Sequence, residues 1–358
     1  MRLYGRDWTR REFEARVGRI EQVGGLRRQR WAEGVESHNE QIQVRTGAGL
    51  AYYVAPSKGL DISLAEFGGV PLTWQAAGGD VHPAYYDARG AEWLRTVTGG
   101  LLATCGLIYV GAPGEDEGQA FGLHGRAHHL PARHISLSAA WQGDEYHMEI
   151  GGVVEETAVF GESVRLRRHI RGRLGQNRIE IHDTVENFGF ETSPHMILYH
   201  FNFGFPLLSE ETRITFPSQT VIPRDDGTPV KGHDRWQEPE AGYQERVYYH
   251  QDFRAEWVSA SIHNPGFPTA GGDRIPLTVS LTWSTKQLTK LVQWKMPGAG
   301  VHVLGIEPAN CYVEGRAAER ERGSLQFLEP GESRQYDLAL EVVTPDLVGA
   351  SEVATNES

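Results

Sequence analysis

Polar and apolar residues alternate along much of this chain, and this alternation constrains its fold more than any other feature. From Ser163 to Arg173 apolar residues alternate with polar or basic ones, and the pattern returns from Arg178 to Glu186. The intervening Leu174–Asn177 has the composition of a turn. A period of two on both sides of a turn predicts an antiparallel hairpin with one buried face and one solvent-facing face.

Glycine and proline recur throughout the rest of the chain, and both residues disfavour long helices. The sequence contains 42 Gly and 18 Pro, spread from end to end. One helical turn is predicted from Arg10, capped by Thr9, with Phe13 and Val17 on one face. Further strands are predicted at Gln41–Thr46, Leu50–Val54, His134–Trp141, Tyr146–Val154, His195–Phe203, Leu277–Ser284, Leu291–Lys295, Val301–Gly305 and Tyr336–Val343. Many short strands and few short helices predict an all-β fold, a large antiparallel sandwich.

The chain shows no internal repeat and no linker that would divide it. We therefore predict a single domain over residues 1–348, followed by a small, polar, disordered tail at 349–358. The stretch from Phe216 to Gln251 is rich in Pro, Gly and charge, which predicts an excursion over a sheet edge or over the mouth of a site.

Five arginines follow the first strand of the predicted hairpin. They are Arg165, Arg167, Arg168, Arg171 and Arg173. A polyanion-binding patch is one interpretation. The favoured one is cross-strand pairing with the acidic residues of the returning strand, because opposite charges facing each other across a hairpin stabilise it. Those acidic residues are Glu180, Asp183 and Glu186.

Charge and composition exclude several classes of partner. A formal net charge of −12 argues against a nucleic acid or an anionic membrane surface. Two cysteines, Cys105 and Cys311, are too few for a disulfide framework; a single bridge is one interpretation, and reduced thiols are the favoured one. The first residues lack the apolar stretch of a secretory signal, and no run approaches the ~18 apolar residues of a membrane span. We expect a cytoplasmic protein with a small-molecule partner, either a monomer or a homodimer.

Three distant segments each present a polar side chain among small or aromatic neighbours. They contain His124 in Gly122–Arg126, His200 in an apolar strand, and Glu307 just before Pro308. Two histidines and a carboxylate are the groups that an acid–base enzyme needs to move a proton onto one oxygen and off another. The aromatic residues around His200 suit the apolar face of a sugar ring.

Each of these residues also has a structural interpretation. His124 and His128 are spaced like metal ligands on a helix, but Gly125 and Pro131 disfavour a helix, and no third ligand stands nearby. A substrate-facing loop is the preferred interpretation, so no metal is expected.

Taken alone, His200 would be interpreted as a core histidine whose ring nitrogens are hydrogen-bonded within the protein. Asn202 lies on the same side of the strand and instead indicates a cleft. Glu307 is predicted to follow its strand in a loop, where its apolar flanks would desolvate the carboxylate and raise its basicity.

Longer motifs resemble the aldose 1-epimerase (galactose mutarotase-like) superfamily, and most closely its uncharacterised bacterial branch of the DUF4432 type. The matching segments are Pro56–Ile62, Gly99–Gly106 and Gly122–Arg126. The resemblance covers about residues 15–345 and implies a galactose mutarotase-like β-supersandwich of antiparallel sheets, with the site in a cleft across one sheet.

The resemblance also implies roles for individual residues. His200 would be the general acid at the ring oxygen, Glu307 the general base at the anomeric hydroxyl, and His124 a sugar ligand near the ring oxygen. Asn202, Arg126, Lys58, Asp61 and Glu245 are the further substrate-binding candidates. Two departures concern recognition: Glu245 or Gln244 stands where mutarotases have an Asp, and Lys58 where the branch usually has Arg.

The implied activity is cofactor-free interconversion of sugar anomers by ring opening. In that scheme His200 is held protonated by the nearby carboxylate, and the same attraction keeps Glu307 ionised. Two alternatives stay open. One is a non-catalytic sugar-binding or sensing protein, and the other is an isomerase, epimerase, lyase or hydrolase that acts elsewhere on a sugar with the same scaffold.

Overall fold

The computed structural model describes residues 1–345, of which about half lie in strands that pair antiparallel. These residues include two short α-helices, α1 (Arg10–Glu14) and α2 (Arg316–Glu321), and five 3-10 turns at Ile20–Gln22, Gly34–Glu36, Pro83–Tyr85, Glu92–Arg95 and Ala127–His129. In chain order the strands are β1 (Arg2–Leu3), β2 (Arg6–Asp7), β3 (Gly25–Arg30), β4 (Glu40–Arg45), β5 (Leu50–Ala55), β6 (Asp61–Phe67), β7 (Val70–Pro71), β8 (Leu102–Leu107), β9 (Gly114–Asp116), β10 (Gln119–Phe121), β11 (Arg133–Gln142), β12 (Glu145–Thr157), β13 (Ser163–Arg173), β14 (Arg178–Asn187), β15 (Ser193–Phe203), β16 (Arg213–Thr215), β17 (Thr220–Pro223), β18 (Arg246–Gln251), β19 (Trp257–Pro268), β20 (Arg274–Ser284), β21 (Lys290–Gly298), β22 (Val301–Ala309), β23 (Gln326–Leu328) and β24 (Ser333–Val343).

Two large sheets contain most of these strands. The smaller sheet has eight strands in the order β11-β12-β13-β14-β24-β20-β19-β16. The larger has twelve, along the path β17-β18-β21-β22-β15-β8-β6-β5-β4-β3, with β7 beside β6 and β23 beside β15. This arrangement confirms the predicted all-β antiparallel sandwich with few short helices. The domain boundary at residue 348 stays a prediction, because it and the tail at 349–358 lie outside the described residues.

Local signals in the sequence explain where the elements begin. The hydroxyl of Thr9 accepts a hydrogen bond from the Glu12 backbone N–H, and the Glu12 carboxylate accepts one from the Thr9 N–H, which is a capping box. The helix starts at Arg10 as predicted but ends at Glu14, so Val17 lies outside it. Every strand predicted from alternation is present, and most extend further than predicted. Among residues 1–345, no helix has the length and apolar character needed to cross a bilayer.

The arginines of β13 pair mainly with acidic residues on the neighbouring strands, as the favoured interpretation predicted. Arg165 binds Glu186 at 2.7 Å and Arg168 binds Asp183 at 2.7 Å, both across the β13–β14 hairpin. Arg171, however, binds Glu149 on the other neighbour, β12, rather than Glu180. Arg173 likewise pairs with β12, through Glu145. The arginines of β13 therefore find carboxylates on both neighbouring strands. Alternation within the β13–β14 hairpin alone could not predict the partners on β12.

The alternation of β15 separates the core from the opposite face of the larger sheet. Ile197, Tyr199 and Phe201 belong to the main hydrophobic core, which also contains buried residues of the smaller sheet. Met196 and Leu198 belong to a second, smaller cluster. Because successive side chains of a strand point to opposite faces, the even-numbered positions that continue this series lie on the face away from the smaller sheet.

A buried polar network joins the two sheets. The Arg168 guanidinium on β13 donates to Asp61 on β6 at 2.6 Å and to Asp183 on β14 at 2.7 Å. The Tyr199 hydroxyl of β15 donates to the same Asp183 carboxylate at 2.7 Å. Thr104 of β8 donates to Asp61 through its backbone N–H and its hydroxyl. A charged group without exposure to water is tolerated only when its donors are satisfied in this way.

Replacing the arginine at the centre of this network should be strongly destabilising. We expect Arg168→Met to lower the free energy of unfolding by about 3–5 kcal/mol, because it leaves two buried carboxylates without their cation. Arg171→Met on the same strand is the matched control, since its ion pair with Glu149 is solvent-exposed and contributes about 0–1 kcal/mol. Chemical denaturation of both variants measures the difference. Equal small losses in the two would contradict a central role for Arg168.

Candidate functional site

A cavity of about 780 Å³ lies over the outer face of the larger sheet. Its floor is formed by side chains of β8, β15, β21 and β22, and loops from distant parts of the chain form its walls. The volume falls within the roughly 300–1,000 Å³ of typical small-molecule sites. The predicted residues His124, His200, Asn202, Glu245 and Glu307 all line it.

His200 and Glu307 face each other on the cavity floor. The pairs Leu198↔Ala309 and Phe201↔Ile306 flank them, so the register of β15 and β22 sets the two residues opposite each other. His200 Nε2 lies 3.3 Å from Glu307 Oε1, and both side chains are nearly inaccessible to solvent. The approach lacks the geometry of a hydrogen bond, since Glu307 Oε1 has no hydrogen-bond partner within the described residues.

Glu307 lies inside a strand and not in the loop that the sequence predicted. The strand β22 continues through Pro308 to Ala309. Ala309 pairs with Leu198 on one side and with Lys290 on the other, and this pairing on both sides overrides the proline signal. The strand therefore fixes the carboxylate more rigidly than a loop would.

Gly305 makes room for the pair. A Cβ atom at this position would lie 2.3 Å from Glu307 Oε1 and 3.2 Å from His200 Cε1. The Trp294 side chain, from the residue that pairs with Gly305 across the sheet, would also lie 2.9 Å away. A strand glycine of this kind marks a close approach of neighbouring groups.

Burial shifts both members of the pair towards their neutral forms. It raises the pKa of Glu307 well above its usual value and lowers the pKa of His200 to about 3. It also lowers the pKa of His124 to about 4. Burial thus disfavours the ionised Glu307 beside a protonated His200 that the resemblance implies. Loss of hydration acts against the charged form of each group.

His124 reaches the cavity from a tightly folded loop. Its backbone has φ of 57°, in the left-handed region. Its N–H donates to the Gly111 carbonyl at 2.8 Å, and its carbonyl accepts from the Gly106 N–H at 3.1 Å. The ring centroid lies 5.1 Å from that of Trp93 and 6.0 Å from that of His200. The loop, as predicted, is not helical around His124, and it holds the imidazole beside the pair.

Sequence reasoning missed three tryptophans and an arginine that line the cavity: Trp74, Trp93, Trp294 and Arg224. Trp294 could have been found, because alternation along the predicted strand 291–295 puts it on the same face as Val292. Trp74, Trp93 and Arg224 reach the site through long-range contacts and follow no local pattern. The predicted excursion 216–251 supplies Arg224 and Glu245 to the cavity, and two of its segments, β17 and β18, are strands of the larger sheet.

Glu245 is already engaged by the protein on both oxygens. One accepts a hydrogen bond from Trp294 Nε1 at 2.9 Å, and the other accepts from Arg224 at 3.1 Å. The carboxylate therefore orients the Trp294 indole, whose ring centroid lies 5.6 Å from that of His200.

Lys58, Asp61 and Arg126, the remaining predicted substrate ligands, do not line the cavity. Lys58 is buried, and its ammonium donates to the Thr96 carbonyl and the Thr98 hydroxyl. Asp61 is part of the network around Arg168. Arg126 is exposed and borders a separate cavity of about 20 Å³. Buried polar side chains within a strand-rich chain resemble site residues in sequence, although here they stabilise the scaffold.

The histidine-rich loop has the partners of a structural element. His128 Nδ1 donates to the Asp61 carboxylate at 2.7 Å, and its Nε2 accepts from the Thr98 N–H at 3.4 Å, so neither nitrogen is free to bind a metal. Across residues 1–345 no group of three or more His, Cys, Asp or Glu side chains is arranged to hold a metal ion.

The fold is that of galactose mutarotase-like proteins. A proposed aldose 1-epimerase from Klebsiella pneumoniae superposes with a TM-score of 0.79 at 24% identity, over 93% of this chain and 88% of that one. The galactose 1-epimerase of Lactobacillus acidophilus gives a TM-score of 0.57 at 10% identity, over 89% and 98%. A galactose mutarotase-like protein from Clostridium acetobutylicum gives 0.56 at 13% identity, over 89% and 99%.

The sequence itself matches the model of a domain of unknown function, DUF4432, over residues 36–342. This match spans most of the 358 residues, and the chain belongs to the DUF4432 family. No curated protein sequence matches it.

The protonation state of Glu307 can be observed directly. We expect the infrared spectrum near pH 6 to contain a carboxylic-acid C=O band that is absent from Glu307→Gln. Because the folded-state pKa is raised, the band should persist above the usual range of a glutamate, about pH 4.3, and disappear as the pH rises through the raised pKa. Glu156, whose pKa burial raises to about 7, is a control: Glu156→Gln should remove a different band. A wild-type spectrum identical to that of Glu307→Gln would contradict the assignment.

Adding one methyl group at Gly305 should disturb the pair. We expect Gly305→Ala to lower the free energy of unfolding by about 1–3 kcal/mol, since the Cβ overlaps the Glu307 carboxylate. Combining it with Glu307→Asp, which withdraws the carboxylate, should recover part of that loss. Gly18→Ala is the control, because a Cβ there meets nothing within 4 Å. Denaturation midpoints measure all three variants, and a Gly305→Ala protein as stable as wild type would contradict the close approach.

Proposed function

We propose that this protein is a sugar-binding enzyme of the aldose 1-epimerase type, which interconverts the anomers of an aldose without a cofactor. The observation that carries the proposal is the His200–Glu307 pair, 3.3 Å apart on the floor of a cavity lined by three tryptophans. An acid and a base so close together can serve two oxygens on the same carbon of one ring.

The cavity walls suit a sugar. Trp93 stands beside His124, and Trp294 stands beside His200, so apolar indole rings border the two histidines. Buried polar atoms of His124, His200 and Glu307 have no hydrogen-bond partner within the described residues. Buried polar groups are nearly always satisfied, and the hydroxyls of a bound sugar would supply the missing partners.

Ring opening needs one proton taken and one given. Glu307 accepts the proton of the anomeric hydroxyl while His200 donates to the ring oxygen, and the ring opens to the aldehyde. Rotation about C1–C2 presents the other carbonyl face, and closure reverses both transfers. Because burial favours the neutral form of each group, this direction requires a proton to pass first from Glu307 to His200.

A bound sugar can drive that transfer. A hydroxyl that donates to Glu307 stabilises the carboxylate and lowers its pKa, and a ring oxygen that accepts from His200 stabilises the imidazolium. The neutral and ionic forms of the pair contain the same single proton, so the enzyme needs none from solvent. Proton transfer by positioned groups of this kind contributes roughly 10²–10⁴-fold each to a rate.

Removing the proton-transfer groups separates an enzyme from a sugar-binding protein. On a panel of freshly dissolved aldoses, we expect Glu307→Gln to retain sugar affinity within a few-fold while anomerisation falls towards the spontaneous rate, because an amide accepts a hydrogen bond but cannot carry a proton. His200→Asn should lower turnover by about 10²-fold or more for the same reason. Calorimetric affinity and exchange NMR on the same preparation measure the two effects.

The exposed Glu321→Gln on α2 is the matched control and should behave as wild type. Wild-type turnover in Glu307→Gln would remove that residue from the reaction. Tight binding of a sugar by a wild-type protein that turns none over would favour the sugar-binding alternative.

A further inference from the structure

Strand β11, at one end of the smaller sheet, differs from the other strands at the sheet ends. It has ten residues, and no charged side chain occurs between Arg133 and Asp144 apart from the titratable His134. Nearly all of its residues are exposed. The pairing of β11 with β12 shifts register between Arg133 and Ser136, and from Ser136 to Gln142 it is regular. An open strand edge is a template for pairing with another strand, and proteins usually protect such edges by shortening them, by bulges, or by placing charge or proline on them.

The three other strands at the ends of the two large sheets are protected against such pairing. β16 has three residues and β17 has four, ending in a proline. β3 carries Arg27, Arg28 and Arg30. In the described part of the chain, backbone hydrogen bonds join Ser136–Gln142 to β12 alone. The outer edge of this stretch therefore has donors and acceptors without protein partners, in a molecule that protects its other edges.

We propose that β11 is an interface with a second copy of this chain, in which the two β11 strands pair antiparallel about a two-fold axis. The two eight-stranded sheets then form one continuous sheet of sixteen strands. The small, uncharged side chains of Ser136, Ser138 and Ala140 let the second backbone approach, because nothing long or charged projects from this part of the strand. An interface between identical surfaces closes after two copies, so it satisfies both edges without forming a fibre.

Charge at the two ends of the strand selects the antiparallel arrangement and an identical partner. Arg133 begins β11, and Asp144 with Glu145 follows its end. All three also have contacts within the chain: Arg133 with Glu155, Asp144 with the Arg10 N–H, and Glu145 with Arg173. In an antiparallel pair the beginning of one strand meets the end of the other, so each arginine approaches the partner's carboxylates. A parallel pair would bring like charges together at both ends, which is destabilising.

A charge-exchange experiment tests this proposal and does not depend on the enzymatic one, because its readout is mass. Sedimentation equilibrium should show wild-type protein passing from one to two chain masses as its concentration rises. Ser138→Lys and Ser138→Glu each bring like charges together across the axis, and each alone should weaken dimerisation at least about ten-fold. An equimolar mixture of the two variants should dimerise again, because the charges are then opposite.

Ser259→Lys is the control, since Ser259 is exposed on β19 in the interior of the same sheet, and this variant should dimerise as wild type does. Hydrogen exchange adds a second measurement: amides of Ser136–Gln142 should become more protected as wild-type concentration rises, and those of β3 should not. Wild type that stays monomeric at every concentration overturns the proposal. Variants that dimerise as wild type does, or exchange in β11 that is independent of concentration, overturn it too.

Discussion

The buried Arg168 guanidinium is the interaction on which the rest of this structure depends. It projects from β13 of the smaller sheet and donates hydrogen bonds to two carboxylates. One is Asp61 of the larger sheet, and the other is Asp183 of its own sheet. Packing alone can join two sheets in many relative positions, because apolar contacts have little directional preference. A guanidinium with a planar set of donors between two carboxylates has few acceptable positions, so this contact fixes how one sheet lies on the other.

The same network fixes the site on the far side of the larger sheet. Tyr199 donates to Asp183 from β15, which holds that residue towards the core and therefore directs His200 into the cavity. The second connection runs through His128. Its ring donates a hydrogen bond to Asp61 and accepts one from the Thr98 backbone N–H. Gly99 follows Thr98, and its carbonyl accepts a hydrogen bond from Asn202 on the cavity floor. The polar core thus positions the cavity from two directions, although none of its own side chains lines the cavity.

Much of the fold and part of the site could be predicted from sequence, and the division has physical causes. Alternation is a local property, so it located the β13–β14 hairpin and the strands correctly. His124, His200 and Glu307 were found because their flanking motifs are distinctive. Trp93 and Arg224 were missed because only tertiary contacts bring their loops to the cavity. Lys58 and Asp61 were assigned to the substrate because a buried ion network and a binding site draw on the same residue types.

The protonation of His200 and Glu307 could not be predicted from the sequence, for a different reason. Proximity to a partner charge and burial act in opposite directions on Glu307, and only the surroundings decide which dominates. Here Gly305 lets the carboxylate and the imidazole approach closely, while the tryptophans and the strands beneath exclude water. Under the proposed function, the hydroxyls of an uncharged sugar stabilise the ionic form of the pair, which burial alone disfavours. In the reaction proposed above, the electrostatic stabilisation of the ionic pair acts in the sugar-bound state, where the proposed proton transfers take place.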